Sequence, residues 1–287
     1  MKVVLFCGGL GTRLRDYSDS VPKPMVPIGY RPLVWHVMKY YAHFGHKDFI
    51  LCLGHRADVI KNYFLHYDEC ASNDFQLSNG GKRLELFHSD IHDWNITFAD
   101  TGGVSNIGQR LKAVEKYLEG EEVFLANYSD GLTDMSLPAQ LESFHAKKKV
   151  ASFMAVRPNL SYHLVSMDER NGKVTGIQAM AKCNWRVNGG YFILRREIFN
   201  YMQEGEELVV EPFQRLIEVN QLLAYPYDGF FAAMDTFKDK QNLDDLYSRG
   251  DAPWEVWKKG QQGEAAGAAE PTGEAPAPNK LRSARHA

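Results

Sequence analysis

A basic excess is missing from this 287-residue chain, whose formal net charge is -3. A nucleic-acid partner would need a surplus or a stripe of basic residues, so that class of function is not expected. Cysteine is scarce. Cys7, Cys52, Cys70 and Cys183 are the only four, and no two stand at C-x-x-C spacing. That spacing excludes a zinc ribbon or a dithiol redox motif. Cys7 and Cys52 lie inside apolar runs and read as small buried hydrophobes. Long hydrophobic runs are absent too, since none reaches the roughly 18 residues of a membrane helix. Met1-Lys2 leads straight into a strand-like run and a glycine loop, which is not a signal-peptide pattern. A reducing, cytoplasmic setting and no membrane contact are therefore expected. The pairs His43/His46 and His88/His92 have no Glu or Cys at ligand spacing, so they read as surface or packing residues.

What is present is material for a sizeable core, with 44% hydrophobic residues. Val3-Val4-Leu5-Phe6-Cys7, Phe49–Leu53, Glu122–Ala126 and Val150–Val156 read as buried strands. Between them, residues 33–44, 59–67 and 111–118 carry helical spacing. Short continuous apolar strands alternating with helices indicate a parallel sheet covered on both faces. Beyond about residue 157 strand candidates near Leu164, Val174 and Tyr191–Leu194 come with fewer helices, and helices return at 209–219 and 238–247. The expected organisation is one domain, 1–258, with a nucleotide-binding half of about 1–157 and an acceptor half of about 158–258. Residues 70–95, with two Asn/Gly-rich stretches around Arg83–His88, suggest a lid or an oligomer contact. Residues 259–287 are mostly Gly, Ala, Glu and Pro, without periodicity, and are expected to be a disordered tail.

The most informative segment is Gly8-Gly9-Leu10-Gly11-Thr12-Arg13, which directly follows the first strand. Glycines let backbone N–H groups approach an anion closely. Spacing removes two familiar phosphate motifs: a Walker A loop needs G-K-[ST], and a dinucleotide fingerprint needs a glycine where Leu14 stands. Arg13 and Arg15 follow at once, then Pro22-Lys23-Pro24-Met25, where the prolines fix the chain path around Lys23. Backbone donors combined with fixed cations suit a triphosphate. Two aspartates follow apolar runs: Asp130 in Asn127-Tyr128-Ser129-Asp130-Gly131, and Asp235 in Met234-Asp235-Thr236. Mg²⁺ needs only one or two protein carboxylates, with phosphates completing its shell. Read singly, Asp130 could be a turn former and Asp235 a helix cap.

The glycine loop and the Pro-Lys-Pro segment together resemble the signature of the sugar-1-phosphate nucleotidylyltransferases. The resemblance implies a Rossmann-like three-layer α/β/α sandwich around a mixed sheet. It implies that Gly8, Gly9, Gly11 and Thr12 bracket the nucleotide and that Arg13 and Lys23 hold its phosphates. It implies Asp130 and Asp235 as ligands of Mg²⁺, with Arg13, Lys23 and Asp130 as the catalytic set. Ser129 stands where the first glycine of the family's G-D-G is common. Trp35-His36, Asp100-Thr101-Gly102, Arg110-Leu111-Lys112, Val187–Phe192 and Ala252-Pro253-Trp254 resemble the members that use CTP with glucose 1-phosphate. That implies Thr101 and Arg110 near the base or triphosphate, Asn188 and Gly189 near the acceptor, and a homo-oligomer. On the acceptor side the chain departs from the family. Gln178-Ala179-Met180-Ala181-Lys182 replaces an E-K-P segment whose lysine grips the sugar phosphate, leaving Lys182 as a substitute, with Arg157, His163 and Arg186 as others. Val165 stands where an upstream glycine is usual. A different phosphorylated acceptor, dTTP or UTP as donor, and a non-catalytic nucleotide-binding homologue stay open.

Overall fold

The computed structural model describes residues 1–9, 21–158 and 162–258. Gly11, Thr12 and Arg13 of the loop, and the expected tail 259–287, lie outside the described residues. The centre of the molecule is a seven-stranded sheet. Its strands are β1 (Val3–Phe6), β2 (Asp48–Leu53), β3 (Asn95–Asp100), β4 (Val123–Asn127), β5 (Ala151–Val156), β6 (Val187–Arg195) and β7 (Leu222–Tyr227). Their spatial order is β7-β5-β6-β4-β1-β2-β3. All pairings are parallel except those of β6, which runs antiparallel to β4 and β5. The sheet is thus mixed.

Alternation along the strands builds two cores. Val3 and Leu5 enter one, with Leu51, Leu125 and the helix α1 (Leu33–His43). Val4 and Phe6 enter the other, with Ile50, Cys52, Phe124 and Leu111 of the helix α3 (Ile107–Ala113). Both sheet faces are therefore covered, as the continuous apolar strands required. The helices α2 (Ala57–Leu65), α4 (Leu137–Lys147), α5 (Glu211–Glu218) and α6 (Phe237–Ser248) complete the outer layers. The expected helix over 111–118 begins earlier, at Ile107, because Asn106 and Gln109 form a reciprocal capping box there. Among the described residues no helix is long and apolar enough to cross a membrane.

Two hairpins stand off the sheet: Phe75–Ser78 with Arg83–Leu86, and His163–Asp168 with Lys173–Ala179. Arg31 joins the segments on either side of the first: its buried side chain bonds Ser72 at 3.0 Å and Asp90 at 2.9 Å and stacks on Tyr67. A third small pairing matters for function. Gly131–Thr133 runs antiparallel to Phe231–Ala233, with Gly131 opposite Ala233.

Candidate active site

The chain leaves β1 for β2 and β3 on one side and returns with β4 on the other. This reversal places a crevice at the carboxyl ends of β1 and β4, the usual ligand position in open α/β sheets. A cleft of about 330 Å³ lies there, lined by Gly9, Lys23, Tyr128, Asp130, Arg110 and Glu207 among others.

Lys23 and Asp130 line it, and Asp235 meets them at the Lys23 ammonium. The small pairing sets the ends of two distant apolar runs side by side, and Met234 N–H donates to Asp130 O at 2.8 Å. Asp235 follows at once. Pro22 precedes and Pro24 sits within a single 3₁₀ turn, Lys23–Met25, so that prolines flank Lys23 and direct it to the same place. Its Nζ donates to Asp130 Oδ2 at 3.0 Å and to Asp235 Oδ1 at 2.7 Å. Burial works against the ammonium charge, yet the two carboxylates outweigh it and raise the Lys23 pKa above its ordinary value. Lys23 is thus a fixed cation. Asp235 is not the cap of α6; Thr236 is, in a capping box with Asp239.

The turn before Asp130 is tightly specified. Ser129 is fully buried with φ +62°, a left-handed conformation that glycine adopts most easily. This explains why a glycine is common at that position of the motif. Here the serine is held by its N–H to Asn127 Oδ1 at 2.7 Å and by the Cys7 thiol donating to its Oγ at 3.6 Å. Burial pushes the Cys7 thiol up to about 12, so it is no nucleophile.

Arg110 forms the opposite wall. The residue is 2% exposed, and burial lowers its pKa. It donates to Gly8 O at 2.9 Å, Gly102 O at 2.9 Å, Leu53 O at 3.2 Å and Thr101 Oγ1 at 2.8 Å. One side chain therefore ties the ends of β1, β2 and β3. A Cβ at Gly8 would fall 2.1 Å from Arg110 Nη1, so the glycine is required by this contact. Thr101 is buried behind the guanidinium and also donates to Leu53 O at 2.8 Å. Arg110 borders the cleft while Thr101 supports it.

On the acceptor side, Asn188 Nδ2 donates to the Tyr128 hydroxyl at 3.2 Å, and Gly189 is buried beside Met154. Lys182 is exposed on the 3₁₀ turn Met180–Lys182. Arg157 and Arg186 are brought together instead on Asp228, Arg186 reaching its two carboxylate oxygens at 2.9 and 3.0 Å. Glu207 was not singled out from the sequence. It sits in Gly205-Glu206-Glu207-Leu208, an acidic surface-like run, and only the packing of that run against α3 turns it toward the cleft.

Comparisons with known proteins give the family and the fold. The Nucleotidyl transferase family model matches residues 2–230. Glucose-1-phosphate cytidylyltransferases from Salmonella typhimurium and Salmonella typhi are each 37% identical over 260 residues, covering 90% of this chain and all of theirs. The solved structure of HddC from Yersinia pseudotuberculosis aligns with a TM-score of 0.61 at 20% identity, over 86% of this chain and 99% of that one. At that identity the likeness speaks for the fold.

Proposed function

The chain belongs to the nucleotidyl transferase family, and from that premise we propose that it transfers CMP from CTP to a sugar 1-phosphate, with glucose 1-phosphate as the first acceptor to consider. Pyrophosphate leaves and a CDP-linked sugar forms. The observation that carries this reading is the convergence of Asp130 and Asp235 on Lys23, beside a cleft that Lys23, Asp130 and Gly9 line. The 37% identity to glucose-1-phosphate cytidylyltransferases over their full length supports the choice of CTP.

A divalent cation, Mg²⁺, is part of the reading. Such an ion is commonly held by one or two protein carboxylates, with phosphates and water completing its shell. Among the described residues there is no cluster of three or more His, Cys, Asp or Glu. Asp130 and Asp235 form a pair that already accommodates a positive charge, the Lys23 ammonium. The donor set fits, and these two aspartates would hold the ion. When bound, it neutralises the negative charge of the phosphates.

The remaining chemistry falls to the chain. Gly8 and Gly9 keep side chains away from the end of β1, and Gly11, Thr12 and Arg13, outside the described residues, belong to this reading as nucleotide-binding residues. Lys23 supplies permanent positive charge near the α-phosphate, and Arg110 holds the facing wall with Thr101 behind it. An acceptor phosphate oxygen attacks the α-phosphorus as the bond to pyrophosphate breaks. A phosphate monoester has a second pKa of about 6, so near neutrality the nucleophile is already a dianion and no general base is needed. Catalysis is then positioning and charge neutralisation. Asn188, Gly189 and Lys182 form the acceptor side of this reading. A homo-oligomer belongs to it as well, and sedimentation velocity on the purified chain tests that.

The decisive assay measures pyrophosphate release with CTP, Mg²⁺ and glucose 1-phosphate, with the product identified by mass. A CDP-linked sugar is expected. Tight CTP binding without turnover on any phosphorylated acceptor would sink the enzymatic reading, and turnover on a different sugar phosphate would reassign the acceptor.

A further inference from the structure

Glu207 has no place in the phosphate chemistry just described, yet it lines the same cleft as Lys23, Tyr128 and Asp130. Asp130 has the Lys23 ammonium beside it; a carboxylate without such a cation repels phosphate, so Glu207 faces another part of the ligand. Its position is built. Gly108 of α3 packs so closely on the segment before Leu208 that a Cβ there would lie 2.2 Å from Glu206 O. This contact sets the Glu207 side chain against the start of α3. Oε2 accepts Ile107 N–H at 3.2 Å and Oε1 accepts Leu208 N–H at 3.1 Å. Among the described residues no cation pairs with it, whereas its neighbour Glu206 pairs with Arg215. A carboxylate offers about four acceptor sites, so hydrogen-bonding capacity remains. Burial first, then the charge of Glu211, raises the Glu207 pKa, against which the two backbone donors act. The group wants a further neutral donor. The cleft around it is partly aromatic: Phe6 and Tyr128 stand with ring centroids 6.3 Å apart. A flat base suits such a wall.

We propose that Glu207 reads the donor base, its carboxylate accepting a hydrogen from the N4 amino group of cytosine. Uracil and thymine carry a carbonyl oxygen at that position, which a carboxylate repels, so one residue would both favour CTP and reject UTP and dTTP. The inference rests on the CTP reading above and deepens it.

The test is calorimetric binding of CTP, UTP and dCTP, each with Mg²⁺ and no acceptor, to the full chain and to Glu207→Gln. The side chain keeps its shape, and UTP binding by the same variant reports that the cleft is intact. Wild type is expected to prefer CTP. In the variant CTP affinity should fall about 10-fold or more while UTP affinity holds or improves, as expected for losing one hydrogen bond to a charged group. An unchanged CTP/UTP ratio overturns the assignment, as does equal weakening of both nucleotides, which marks a structural role. Loss of the CTP/dCTP preference alone would place the carboxylate on the ribose and overturn it too. A wild-type chain that binds CTP and UTP alike removes the CTP reading and this inference together. A CTP-selective wild type with a CTP-selective variant removes only the inference.

Discussion

Lys23 shows how a single residue gains its role from charge rather than from reach. Two carboxylates on one ammonium keep it protonated at any working pH, and they place it where a triphosphate would need positive charge. Asp235 is the more exposed partner, with 41% of its side chain accessible. Replacing it should therefore disturb chemistry more than folding. Asp235→Asn is expected to lower Mg²⁺-dependent pyrophosphate release by about 100-fold or more, with a melting temperature within a few degrees of wild type. Turnover at the wild-type rate would remove Asp235 from the site. Ser129 makes the opposite case, a residue that costs stability for its backbone. A non-glycine residue in the left-handed region is disfavoured by about 1–2 kcal/mol, offset here by a weak thiol hydrogen bond. Ser129→Gly should raise stability by up to about 1 kcal/mol, read from the denaturant midpoint, and leave activity near wild type. A destabilised variant would mean that the serine hydroxyl matters more than its φ angle.

Elements are joined by buried polar side chains as much as by apolar packing. Arg110 carries α3 to the ends of three strands, so Gly8, Leu53 and Gly102 are tied to one guanidinium. His36 does the same for α1 and the last described segment. Its Nε2 lies 3.0 Å from Ile28 O, and Trp254 Nε1–H donates to its Nδ1 at 3.3 Å. An indole can only donate and a carbonyl can only accept, so the ring must be neutral with its proton on Nε2. Burial is the main reason its pKa falls from 6.5 to about 4. The folded pKa lies below the unfolded one, so unfolding takes up a proton below pH 6.5. Stability from this group is complete above pH 6.5 and is lost as pH falls toward 4. The loss amounts to about 3 kcal/mol at the acid end. Denaturant midpoints measured from pH 7.5 to 4 should show this slope, and His36→Gln should flatten it. An unaltered slope in the variant would assign the acid sensitivity to other groups.

At the scale of the whole molecule the two halves interlock. The strand β6, from beyond residue 157, lies between β4 and β5 of the first half. The pairing of Phe231–Ala233 with Gly131–Thr133 then brings Asp235 to Asp130. Removing the second half would strip both edges of β5 and one edge of β4, and would take away half of the carboxylate pair. Residues 1–157 expressed alone should accordingly lack a cooperative thermal transition by circular dichroism, while the full chain should unfold in one step. A folded, cooperative fragment would show that β6 is not needed to complete the core.

The local readings were legible because they depend on short-range chemistry. Continuous apolar strands needed cover on both faces, and Val3–Phe6 and Phe49–Leu53 have it. The glycine loop and the Pro-Lys-Pro turn identified the family, and the left-handed turn at Ser129 underlies a motif that can be read as letters. Asp130 and Asp235 could be nominated from the sequence as a pair. Their meeting at Lys23 Nζ is decided by an antiparallel pairing between segments far apart in the chain, and no local propensity encodes that. Arg110 could be nominated too, but its partners come from the ends of three strands. Glu207 was hidden altogether. Its neighbours in sequence look like solvated acid, and only the close packing of Gly108 against the segment before Leu208 turns that charge into the cleft. The sequence by itself determined which residues to nominate: Lys23, Asp130, Asp235 and Arg110. Tertiary structure decided that the two aspartates meet at Lys23 and that Glu207 lines the cleft, because burial and direction belong to packing and not to composition.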